Sequence, residues 1–283
     1  MSKKLGNLRQ WLSESNSYLL DVVIVHDKKD EHTGIELCKI IEEISNPRIK
    51  LIEGKFNGPG GARNQGLKIA NTPWVAFWDS DDIPVLSEIF VLIDSNADSN
   101  ADVLVGAFNR IRDGESIPFL VGDKKSYLSR LGYRPGIWRF VFRNYILEEI
   151  QFPILAMGED QVFLVQTEFW KRKVEITNHV VYHYFENNPG SQTASKIAHY
   201  DLIKAIEMLV NIVKKEPKTM NSNFVAMVLL RNWLSLIKRQ PIKATFYSLH
   251  SAFIILQSVT KYRSQFRRTF HEFKEIRKKD VQQ

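Results

Sequence analysis

Seven residues, Ala76 to Asp82, read AFWDSDD: an apolar, aromatic run of strand character that delivers three carboxylates within four positions. Like charges this close repel and raise one another's pKa, so Asp79, Asp81 and Asp82 require something positive nearby. Two carboxylates at i and i+2 just beyond a strand can face one point and hold a hard divalent cation, Mn2+ or Mg2+, through oxygen ligands. Such an ion can neutralise a diphosphate leaving group. The plainer reading makes Asp79 and Ser80 an ordinary turn and lets Asp81 or Asp82 cap the helix that opens near Pro84. Capping occupies one carboxylate and leaves the others repelling, which favours the cation.

Three further stretches carry residues able to do chemistry. NGPGGARNQG, residues 57–66, gathers four glycines and a proline around Ala62, Arg63 and Asn64. Glycines permit close backbone approach, and a helix start with a nearby arginine suits a phosphate, although Arg63 reads equally as the partner of an acid. AMGED, residues 156–160, leads from an apolar stretch into a helix. Asp160 there reads either as a partly desolvated general base or as a helix-terminal acid stabilised by the dipole. In GIWRFVF, residues 136–142, Trp138 and Arg139 could stack on and hydrogen-bond a ligand, and Trp138 reads equally as core.

The elements that must position these groups follow from periodicity. Leu5, Leu8, Trp11 and Leu12 fall at helical spacing. YLLDVVIVHD, RIKLIEG, WVAFWD, ADVLVGAFNRI and VEITNHVVYHYFE read as strands. GIELCKIIEEIS, GGARNQGLKIA, EIFVLIDS, GIWRFVFRNYIL and DQVFLVQTEFW read as helices. Alternation of strand and helix predicts an α/β fold with a mainly parallel central sheet covered on both faces, and ligands outside the carboxyl ends of its strands. From Ala194 onward only helical spacing is present, so we expect an α/β domain over residues 1–193 and a basic helical extension over 194–283, divided at the Asn-Asn-Pro-Gly turn near 187–192.

Composition removes several classes. The 283 residues contain one cysteine, Cys38, so no intramolecular disulfide framework exists, and a reducing cytoplasm is the expected setting. No run approaches the roughly 20 apolar residues of a membrane span, and no signal-peptide pattern opens the chain. The net charge is +7, with the excess concentrated in the last fifth, which suggests an anionic neighbour. FYSLHSAFIILQSVTKYRSQFRRTF, residues 246–270, pairs large apolar residues with Lys261, Arg263, Arg267 and Arg268, as a helix lying on an anionic membrane does. The same stretch reads equally as a helix packed on the rest of the protein. A nucleic-acid-binding protein fits less well, because the basic excess is terminal and carboxylates crowd the expected cleft.

Taken together, GPGGARNQGLKIANTPWVAFWDSDD closely resembles the central signature of family 2 glycosyltransferases, inverting enzymes of GT-A fold with a glycine-flanked Ala-Arg-Asn and an Asp-X-Asp motif. VVIVHDKKD is similar to the strand whose terminal acid contacts the nucleotide base, which implies that role for Asp27. GEDQVFL resembles the Glu-Asp motif whose second acid is the catalytic base, implying that role for Asp160 and acceptor hydroxyl contacts for Glu159. The stretch YHYFENNPGSQT resembles the segment that returns to the active site, which implies metal or diphosphate contact for His183. The likeness covers residues 5–193.

The resemblance thus implies a metal-dependent inverting transferase. Asp27, Arg63, Asp79 and Asp82 would hold a nucleotide-sugar donor, Asp81 and Asp79 (with His183) a divalent cation, and Trp138 with Glu159 the acceptor, a glycan or a lipid-linked intermediate of a surface polysaccharide. A catalytically silent relative that only binds nucleotide-sugar is the alternative. The family's fold opens with a strand ending in a Pro-X-X-Asn-like turn, whereas MSKKLGNLRQWL resembles the helix after it. The resemblance therefore implies a first strand encoded upstream of Met1, in roughly 10–20 further residues.

Overall fold

The computed structural model describes residues 3–27, 31–186, 196–239 and 263–282. In chain order the elements are α1 (Lys3–Glu14), β1 (Val22–Asp27), α2 (Glu31–Ile44), β2 (Ile49–Gly54), α3 (Pro59–Leu67), β3 (Trp74–Ala76), β4 (Ile83–Pro84) and α4 (Leu86–Asp94). There follow β5 (Val103–Arg112), β6 (Glu115–Phe119), α5 (Tyr127–Tyr133), β7 (Phe140–Arg143), α6 (Glu159–Gln166), β8 (Val174–Phe185), α7 (Lys196–Lys215), α8 (Asn223–Arg239) and α9 (Arg263–Gln282).

Two compact units are interleaved along the sequence. The first contains residues 1–120, 137–154 and 172–191; the second contains 121–136, 155–171 and 192–283. The turn expected near 187–192 lies outside the described residues.

The first unit is an α/β body built on two sheets. β1 and β2 pair in parallel, Val22 opposite Ile49 through Asp27 opposite Gly54. The larger sheet runs β3-β7-β5-β8-β4, with β6 also paired to β5. Only β5 and β8 are parallel in it; β3–β7, β4–β8, β5–β6 and β5–β7 are antiparallel. The expected mainly parallel sheet is therefore a mixed one. Part of the reason is β4 and β6, short strands outside the expected set, and part lies in residues 136–147, expected as a helix. They form a short 3-10 turn, the strand β7 and a second 3-10 turn, because Phe140, Val141 and Phe142 make a short continuous apolar run that fits a doubly buried strand as well as a helix. Pairing with both β3 and β5 decides between them.

β5 is the centre of this unit. Val103, Leu104, Val105, Ala107 and Phe108 are all buried, as expected of a strand covered on both faces. In the same unit, Leu5, Leu8, Trp11 and Leu12 of α1 join Leu37 and Ile40 of α2, Val22 and Ile49 in one cluster, so the helical spacing read at the N-terminus buries as one face.

The second unit is helical. α8 packs against α5, α7 and α9, and α6 against α7. Phe224, Val225, Met227 and Val228 of α8 are fully buried. α9 is tied to α5 by Ser129 donating to Glu272 and by an Arg134–Asp280 ion pair of 2.8 Å. Among the described residues no helix is long and apolar enough to cross a membrane.

Candidate active site

In the first unit, the glycine-rich segment forms α3, with Pro59 at its first turn and Gly58 before it at φ 103°. Its backbone lies against neighbours so closely that a Cβ on Gly60 would meet the Pro153 carbonyl at 2.2 Å, and one on Gly61 the Phe56 carbonyl at 1.7 Å. Asn64 locks this approach: its amide donates to the Phe152 carbonyl and accepts from the Phe152 N–H, both at 2.8 Å. Arg63, the next residue back, lies 5.5 Å over the Phe152 ring and donates to Asp79 at 2.7 Å. The expected positive neighbour of the acidic turn is therefore in place, and it comes from the chain itself.

The three carboxylates are treated differently. Asp82 is 1% exposed. It accepts from the Phe185 N–H at 2.8 Å and from the Tyr182 hydroxyl at 3.1 Å. Burial, followed by repulsion from Asp79, pushes its pKa up to about 8. Tyr182 also accepts the Asp79 N–H at 3.1 Å, so one hydroxyl ties the two ends of the turn together. Asp82 N–H closes the turn on the Asp79 carbonyl at 3.2 Å. Asp81 is half-buried, and its carbonyl accepts from the Asn7 amide at 2.7 Å. Asp79 keeps 35% of its side chain exposed.

His183 stands opposite Ile83 where β4 pairs with β8, which brings it to the strand that begins just after the acidic turn. Burial lowers its pKa and favours the neutral imidazole, and its Nδ1 is buried without a hydrogen-bond partner among the described residues. Trp138 is 9% exposed and stacks on Tyr182 and Tyr184 with ring centroids 4.6 and 5.5 Å apart. Its ring therefore packs the floor beneath the turn rather than presenting an open face. Arg139 is buried over the Phe108 and Phe119 rings. Asp27 ends β1, half-buried, opposite Gly54.

In the second unit, Gly158 precedes α6 in the left-handed region, at φ 87°. Glu159 and Asp160 occupy the helix's first turn, where the helix dipole favours carboxylates. Glu159 is buried; Asp160 is half-buried and accepts from the Gln161 N–H at 2.8 Å.

A sequence profile described as "Glycosyl transferase family 2" matches residues 6–154, more than half of the chain. The chain belongs to this family. Among curated relatives, it is 25% identical over 185 residues to glycosyltransferase GlyA of Streptococcus pneumoniae, covering 58% of this chain and 26% of that protein. It is 26% identical over 147 residues to the UDP-Glc:alpha-D-GlcNAc-diphosphoundecaprenol beta-1,3-glucosyltransferase WfgD of Escherichia coli, covering 51% of this chain and 56% of that protein. It is 23% identical over 205 residues to the poly(ribitol-phosphate) beta-glucosyltransferase of Bacillus spizizenii, covering 69% of this chain and 32% of that protein. The chain thus spans between about a quarter and just over half of these relatives' lengths. The S. aureus TarS 1-349 structure in complex with UDP-GlcNAc superposes with a TM-score of 0.68 at 15% identity, over 100% of this chain and 90% of that one. At that identity it establishes the GT-A-like α/β fold.

For a family 2 glycosyltransferase chain, the donor set of the first unit suits a hard divalent cation held by one or two carboxylates plus substrate phosphates, rather than by an all-protein cage. Among the described residues no group of three or more His, Cys, Asp or Glu side chains is arranged to hold a metal. Asp79 and Asp81 supply oxygen, and the unpartnered His183 Nδ1 is an orphaned buried polar atom beside the same turn. Sequence reasoning missed Tyr182 and Asn64. Tyr182 carried a signal, since it alternates with Tyr184 along a strand that ends at the acidic turn; Asn64 carried none beyond its place after Arg63.

Proposed function

We propose that this chain is an inverting glycosyltransferase that moves a sugar from a nucleotide-sugar donor to a glycan or lipid-linked acceptor in surface polysaccharide synthesis. The observation that carries the reading is the acidic turn: Asp82 is buried as an anchor, while Asp79 and Asp81 stay accessible in the turn between β3 and β4, within a family 2 segment. Asp27 and Arg63 contact the nucleotide and diphosphate, with Arg63 exchanging Asp79 for phosphate oxygens. Asp79 and Asp81, together with the donor's phosphates, would hold Mn2+ or Mg2+, and His183 beside the same turn would contact the ion or the diphosphate; the ion when bound would stabilise charge on the departing diphosphate. Asp82 enters as the residue that fixes the turn rather than as a direct donor contact.

Asp160 takes the proton of the acceptor hydroxyl as its oxygen attacks the anomeric carbon; the bond from that carbon to the diphosphate oxygen breaks, and the configuration inverts. Glu159 holds neighbouring acceptor hydroxyls. Trp138 acts on the acceptor through the aromatic stack it builds. The lipid-linked and polymeric acceptors named for the relatives support an acceptor of that class.

Peripheral contact with the cytoplasmic face of an anionic membrane belongs to the same reading. Of the three acids on α9, Glu272 and Asp280 bond to α5 and Glu275 is exposed, while the basic residues Arg263, Arg267, Lys274, Arg277 and Lys278 are exposed as well. At 100° per residue these five fall within about 100° of arc. The apolar stretch before Lys261 lies outside the described residues.

The test is a panel of nucleotide-sugars with Mn2+ or Mg2+, scoring nucleoside diphosphate released. Metal-dependent release from one donor is expected. Binding of nucleotide without release from any donor would instead establish a catalytically silent relative.

A further inference from the structure

The helices α7 and α8 lie beyond residue 154, where the family match ends, as does the turn that carries Glu159 and Asp160, and they grip that turn. Asp201 of α7 is 8% exposed and accepts the Ala156 N–H at 2.7 Å, two residues before Gly158. Its other oxygen accepts from Lys204 at 3.1 Å. Ala205, one turn further on the same face, is fully buried so close to the glycine that a Cβ on Gly158 would lie 2.7 Å from the Ala205 methyl. From α8, the buried Asn232 amide donates to Gln161, the residue after Asp160. The left-handed turn is thus fixed on both sides: a charge-assisted bond before it, a buried amide bond after it, and a small residue pressed against its backbone.

We propose that Asp201 and Asn232 are positioning residues for the Gly158–Asp160 turn, so that the helical part of the chain sets the geometry of proton transfer. This rests on Asp160 being the base. Neither residue touches substrate; each acts by holding backbone or a neighbour of Asp160. A short acid-to-amide bond is the strong kind, and Ala156 N–H would otherwise be a part-buried donor with its acceptor removed. Misplacing a reacting group by about 1 Å costs on the order of 100-fold in rate.

The test compares Asp201→Leu, Asp201→Asn and Asn232→Leu with Asp160→Asn, using the nucleotide-sugar identified by the donor panel. Asp201→Leu is expected to lower kcat for nucleoside diphosphate release on the order of 10- to 100-fold, with donor KM and the stoichiometry of UDP binding in Mn2+ unchanged. A merely structural defect would reduce that stoichiometry. Asp201→Asn keeps an oxygen for the Ala156 N–H and should restore most of the rate. If Asp201→Leu does not fold, Asn232→Leu should show the same split. A folded Asp201→Leu, or failing that a folded Asn232→Leu, turning over at the wild-type rate overturns the proposal. If Asp160→Asn itself turns over at the wild-type rate, the base reading fails first. Hydrogen exchange reads the same claim without substrate: the Ala156 amide should be protected in the wild type and exposed in Asp201→Leu, and unchanged protection would also overturn it.

Discussion

The acidic turn of the first unit and the Glu159–Asp160 turn of the second are two ways to hold carboxylates still. At the acidic turn three acids crowd together, and the structure separates them by environment: Asp82 buried between a tyrosine hydroxyl and a backbone N–H, Asp79 on Arg63, Asp81 half-buried with its carbonyl on Asn7. The Glu159–Asp160 turn has two acids at a helix start, and its order comes from helices packed around it. Electrostatics shapes the first and packing the second. Variants of the first should therefore change metal and donor dependence, whereas variants of the second should change turnover alone.

The largest effect is expected at the second turn. Asp160→Asn should reduce transfer about 10²–10⁴-fold, the usual worth of a general base, while donor binding measured by titration stays at wild-type affinity. An equal loss of donor binding would erase the distinction between the two turns.

Asp81→Ala comes next, with an expected loss of turnover on the order of 10²–10³-fold and no remaining response to Mn2+ or Mg2+. Circular dichroism and thermal melting should be unchanged or improved, because one of three repelling acids is gone. A variant that unfolds would make Asp81 a structural residue.

Tyr182→Phe keeps the ring on Trp138 and removes only the hydroxyl. Asp82 would lose a donor and the Asp79 N–H its acceptor, costing about 1–3 kcal/mol of stability, which urea melts would read. Wild-type stability would mean that the Phe185 N–H alone anchors Asp82.

The smallest effect is on the α9 face. Replacing Arg267, Lys274 and Lys278 by Gln should weaken co-sedimentation with acidic vesicles, each charge being worth about 1 kcal/mol, and leave turnover of a soluble donor unchanged. Equal sedimentation of wild type and variant would leave this face as ordinary solvated surface.

How much of this could be read from the sequence differs between the turns for the same reason. The acidic turn was legible because its chemistry is local: three acids within four positions and an arginine one helix upstream can be seen without knowing any long-range contact. The burial of Asp82 was not, since it depends on Tyr182 and Phe185, a hundred residues away. Likewise the stacking of Trp138 on Tyr182 and Tyr184 was not legible, since it too joins residues far apart in the chain. The strand β7 was hidden because Phe140–Phe142 is too short a run for periodicity to separate strand from helix. Asp201 and Asn232 gave no sign at all, because a polar residue in an amphipathic helix looks the same whether it faces solvent or a turn.

The central claim is inverting transfer of a nucleotide-activated sugar, and proton NMR tests it without knowing the acceptor. With an α-linked donor and Mn2+, the first sugar released to water should be the β-anomer, appearing before mutarotation and absent with Asp160→Asn. First release of the α-anomer would contradict single displacement with inversion.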